Sequence, residues 1–67
     1  MNSQHRQATK IALSVGHEID RLIAQMGTAD HPRGLILATY RVARQALERD
    51  SSSRNVSNVL NWLRDQV

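Results

Sequence analysis

Ser14, His17 and Asp20 follow one another at intervals of three residues, a spacing that could set a nucleophile, a base and an orienting carboxylate along one helix. Such a relay also needs a cavity and donors for the oxyanion. On the helix that carries them, all three fall on the solvated side, so a surface hydrogen bond and an ion pair are their expected use. No catalytic residue is assigned, and the chain is not expected to be an enzyme. His5, His17 and His31 are spaced too irregularly for a pair of metal ligands on one helix and have no thiolate partners, because the chain has no cysteine. No metal or cofactor is therefore expected. In "DHPRG", residues 30–34, Arg33 and a helix N-terminus could hold an anion, but a capped helix start accounts for the same residues. The Asn55-Val56-Ser57 triplet has the form of a glycosylation acceptor, which has meaning only in a secreted chain.

The remaining stretch with chemical content is "SSSRNVSNVLN", residues 51–61. Val56, Ser57, Val59, Leu60 and Asn61 resemble recognition helices of the lactose-repressor family, whose pattern runs Ser, spacer, Val-Ser, spacer, Val-Leu-Asn. The resemblance implies a helix-turn-helix over residues 42–61 whose second helix enters the major groove. Arg54, Asn55, Ser57 and Asn58 would then be the base or phosphate contacts. Arg can bond guanine and Asn adenine through two hydrogen bonds. Gln45, Arg49 and Ser51 stand where that motif carries apolar contacts, and Asp50 stands where its turn has glycine.

Sixty-seven residues make one domain, of a size whose lone hydrophobic core yields only a few kcal/mol of net stability. Without disulfides or a metal, association is the ordinary remedy, and a homodimer is expected. No apolar run approaches the ~20 residues that span a bilayer, and "MNSQHRQATK" lacks a signal-peptide core. A cytoplasmic protein with no membrane partner is expected. Nine basic residues, eight of them Arg, against six acidic ones leave a net charge of +3. That balance permits an acidic protein or a nucleic acid as partner without requiring either. With Tyr40 and Trp62 as the only aromatics, stacking on single-stranded bases has little support.

The elements that position these groups are three helices. Ala8, Ala12, Val15, Ile19, Leu22 and Met26 step by alternating fours and threes, and Ile11 and Ile23 widen the stripe to an arc of about 120°. Leu13 alone lies outside it. Asn2 or Ser3 can cap the start, Gly27-Thr28 is a stop signal, and Gly16 sits inside at a cost of up to about 1 kcal/mol relative to Ala. The second helix starts at Asp30 as cap with Pro32 in the first turn. Its apolar positions Leu35, Ile36, Tyr40, Val42, Ala43, Ala46 and Leu47 cover an arc of roughly 160°, more than one neighbouring helix covers. Arg41, Arg44, Gln45 and Glu48, with Leu37 among them, make the opposite face. Ser51, Ser52 and Ser53 then break the pattern and offer a cap for the third helix, whose stripe is Val56, Val59, Leu60, Leu63 and Val67 with Trp62 at its edge.

The expected fold is all-α: an antiparallel helical hairpin, about residues 3–26 and 31–49, with a shorter third helix of about residues 53–66 folding back on it, in a homodimeric helical bundle. Val15, Ile19, Leu22, Ile36, Tyr40 and Leu47 are the expected subunit contacts. The expected function is non-enzymatic regulation by protein–protein interaction, as adaptor or antagonist of a larger regulator in the style of short bacterial or phage proteins. Leu37, Tyr40, Arg33, Arg41 and Arg44 are its candidate partner-binding residues, and no small-molecule substrate is expected. Direct DNA binding is the competing expectation.

Overall fold

A computed structural model describes the backbone of residues 3–67 and the side chains of residues 14–67. Three helices make up the described chain: α1 (Ser3–Thr28), α2 (Arg33–Arg49) and α3 (Ser53–Gln66). Each packs against the other two. What was expected of the side chains of His5, Ala8, Ile11, Ala12 and Leu13, and of a cap at Asn2 or Ser3, lies outside the described side chains.

The core is one ridge from each helix. Ile19, Leu22 and Met26 come from α1, Thr39 and Ala43 from α2, and Val59 and Leu63 from α3, all buried. The spacings of three and four residues keep each set on one side of its helix. Val15, Ile23, Tyr40, Leu47 and Leu60 pack around this centre, partly buried. Thr39 is the one buried polar residue among the described residues, and its Oγ1 donates to the Leu35 carbonyl one turn back at 2.7 Å. The hydroxyl thus enters the core already bonded, at little desolvation cost.

Two helix ends differ from the sequence reading. Gly27 does not end α1. The chain leaves the helix at Asp30, which takes the left-handed conformation with φ 65°. The His31 N–H donates to the Met26 carbonyl at 3.1 Å, and the Asp30 N–H to the Gly27 carbonyl at 3.2 Å. That pair of bonds is a Schellman ending with Asp in the place glycine usually takes. Asp30 is therefore the stop of α1 rather than the cap of α2. Pro32 precedes α2 instead, with no side-chain cap bond, and its carbonyl accepts from Ile36 N–H at 3.0 Å. Gly16 has open space where a Cβ would stand, so tolerance explains it rather than close helix approach.

The expected cap at the serine run is present. Ser52 Oγ accepts from Asn55 N–H at 3.3 Å at the start of α3. Asp50 Oδ1 accepts from Ser52 N–H at 2.9 Å and closes the turn. The Ser52 N–H first, and then the Ser52 side chain, hold the Asp50 carboxyl below its ordinary 3.8. Across the first and last helices, Glu18 receives Arg21 through bonds of 2.6 and 3.2 Å and Arg64 at 3.5 Å.

Candidate functional site: two surface grooves

An open groove of about 530 Å³ runs between the end of α1 and the first half of α2. Ile23, Ile36, Leu37 and Tyr40 give it apolar walls, with Arg33 and Gly34 at the end where α2 begins. Positions 33, 37, 40, 41 and 44 share one side of α2 because they step by helical intervals. Leu37 is 51% exposed, which leaves a large apolar side chain in solvent at the groove. The Arg44 guanidinium lies over the Tyr40 ring, 5.9 Å from its centroid, a cation–π contact that fixes positive charge beside the groove. Among the described residues the only ion pairs are those of Glu18 with Arg21 and Arg64. Arg33, Arg41 and Arg44 thus have no carboxylate partner there.

A second groove, of about 260 Å³, separates α2 from α3. Val42 and Ala46 form one ridge, Asn58 and Trp62 the other, and Ala43 and Val59 the floor. Val42 is 50% exposed and Trp62 38%, and no charged side chain lines this groove.

Against these two features the residues singled out in the sequence divide cleanly. Arg33, Leu37 and Tyr40 meet in the first groove, Arg44 stands on Tyr40, and Arg41 is exposed beside them. Tyr40 also packs on the core, so it is partly a structural residue. Of the expected subunit contacts, Ile19 and Leu22 are 1% and 3% exposed within the chain. Intrachain packing already uses their surface, and they are not available to a second subunit without opening the bundle. Val15 and Leu47 pack on the core, and Ile36 lines the first groove.

Among the DNA-contact candidates, Arg54, Ser57 and Asn58 are exposed on α3. Asn55 is used otherwise: its Nδ2 donates to the Ala46 carbonyl at 3.0 Å and the Asp50 carbonyl at 2.6 Å. Both amide hydrogens are directed at the end of α2, leaving no donor for a bidentate adenine contact. Ser14, His17 and Asp20 are exposed and form no hydrogen bond or ion pair with one another. No described group of three His, Asp or Glu side chains is placed to hold a metal. No described helix is long and apolar enough to cross a membrane.

The sequence places Val42 and Ala46 on a flank of the wide α2 arc, which packs on helix 3 or on a partner subunit, without marking a groove there. The signal was there in the matched i, i+4 pairs Val42/Ala46 and Asn58/Trp62. No family model matches the chain, and neither a curated protein nor a solved structure does.

Proposed function

We propose that this protein is a non-enzymatic regulatory module that works as a homodimer by capturing another protein, as an adaptor or antagonist of a larger regulator such as a transcription factor. The α1–α2 groove is its docking site, and the occupant is an amphipathic helix with an acidic flank. The observation that carries the reading is the pairing of exposed Leu37, in an apolar groove, with Arg33, Arg41 and Arg44, which have no carboxylate partner among the described residues. Apolar side chains at i, i+3, i+4 and i+7 of the guest would fill the groove between Ile23, Ile36 and Tyr40. Carboxylates on its flank would meet the arginines, which steer encounter and select against basic helices.

Affinity capture with wild type and with Leu37→Asp as baits tests this. A protein retained by wild type, eluted by raised salt and absent from the Leu37→Asp bait, with far-UV helicity equal in both, supports it. Arg33→Glu should weaken the same capture. Retention on Leu37→Asp would move the site elsewhere. Recovery of duplex DNA that is lost with Arg54→Ala would replace protein capture by nucleic-acid binding through α3.

A further inference from the structure

We propose that the α2–α3 groove is the face on which a second copy of this chain seats, with Trp62 of each protomer entering between the α2 and α3 ridges of the other. The inference rests on the homodimer reading above and adds where the copies meet.

Three observations favour self-association at this groove. The first is its charge. A symmetric dimer brings the same patch of both copies together, so a patch of one net sign repels itself. The chain carries +3, and the α1–α2 groove is edged by arginines. The α2–α3 groove is lined by no charged side chain, which makes it the face two like-charged copies can bring together.

The second is shape. One patch holds both a projecting large side chain, Trp62, and a place low enough to receive it, the floor of Ala43 and Val59 between the ridges. An interface related by a two-fold axis needs knob and hole on the same surface. The parallel ridges Val42/Ala46 and Asn58/Trp62 supply rows for helix-into-groove packing. Asn58 within that apolar surface can bond to its counterpart across the axis, a device that fixes register.

The third is need. The described chain buries only Ile19, Leu22, Met26, Ala43, Val59 and Leu63 as apolar core, while Val42 stays 50% and Trp62 38% exposed. A domain of this size gains from covering them.

Trp62 is the single tryptophan of the chain, so its fluorescence reads this face alone. On raising wild-type concentration, emission should shift to the blue as the mass from light scattering rises from 7.6 kDa toward twice that value. Val42→Asp should raise the dimer dissociation constant tenfold or more, hold the red-shifted emission at the same concentrations, and keep wild-type helicity. Leu37→Asp, in the other groove, should leave dimerisation unchanged. If wild type stays a single protomer at every concentration, the homodimer reading itself fails. If wild type dimerises but Val42→Asp and Trp62→Ala dimerise equally well, the dimer stands and this face is the wrong one.

Discussion

Asn55 shows how a side chain with an obvious recognition chemistry can be committed to folding instead. Its amide closes the carbonyls of Ala46 and Asp50 while its backbone N–H is taken by Ser52 Oγ. Asn55→Ala leaves the Asp50 carbonyl without that donor and the Ala46 carbonyl with the Asp50 N–H alone, and should cost about 1–2 kcal/mol. A urea titration would show this as a lower midpoint with an unchanged slope. Asp30 is a different case, since its backbone conformation at φ 65° is one that glycine adopts freely. Asp30→Gly should be neutral or stabilising by up to about 1 kcal/mol, whereas a β-branched residue there should destabilise by more. Neither role was legible from residue type. In sequence, Asn55 sits within a run resembling a recognition helix, and Gly27 advertises itself as a stop more strongly than Asp30 does. Which group completes a helix end depends on the path of the chain beyond it.

The three helices themselves were written in the spacing of apolar residues, and α2 and α3 begin and end within two residues of the spans read from the sequence. What the period could not assign was the flank of α2. Its arc of Leu35 to Leu47 is wider than the bundle covers, so Ala43 goes to the core while Leu35 and Val42 stay outside. Thr39 entered the core against its polarity because its hydroxyl is satisfied within its own helix. Between elements, the Glu18 carboxylate joins α1 to α3. The Arg21 hydrogen bonds first, and then the charges of Arg21 and Arg64, hold it below its ordinary 4.5. A carboxyl depressed in the folded chain contributes stability above its unfolded value and loses it as pH falls through the folded one. Glu18 and Asp50 share this sign. Thermal midpoints should therefore be level near neutrality and fall below about pH 4.5, modestly because both groups face water. Glu18→Gln should flatten that fall, as seen in melts at a series of pH values.

At the scale of the molecule, seven buried side chains among the described residues hold three helices together, and the loss of any large one is felt by all. Leu63 is fully buried among residues of α1 and α2. Leu63→Ala should cost about 2–5 kcal/mol, comparable to what a lone domain of this length has to lose. Circular dichroism should show a broad, early melt, or none. The grooves follow from the same scarcity. Three short ridges meet along one line and leave their outer flanks bare, cationic on one side of α2 and neutral on the other. Sequence alone offers Tyr40 from the wide apolar arc of α2, and Leu37 and Arg33 from its exposed and basic residues, as partner contacts, but the neutral groove needs α3 laid beside α2.

Met26, in the last turn of α1, has no exposure at all. A thioether so enclosed meets hydrogen peroxide only when the helices part, so sulfoxide formation there becomes a chemical clock for opening. The tryptic fragment running from Leu22 to Arg33 carries that sulfur and no other. Its oxidation, followed by mass spectrometry, should lag far behind that of a free methionine peptide, and Leu63→Ala should erase most of the lag.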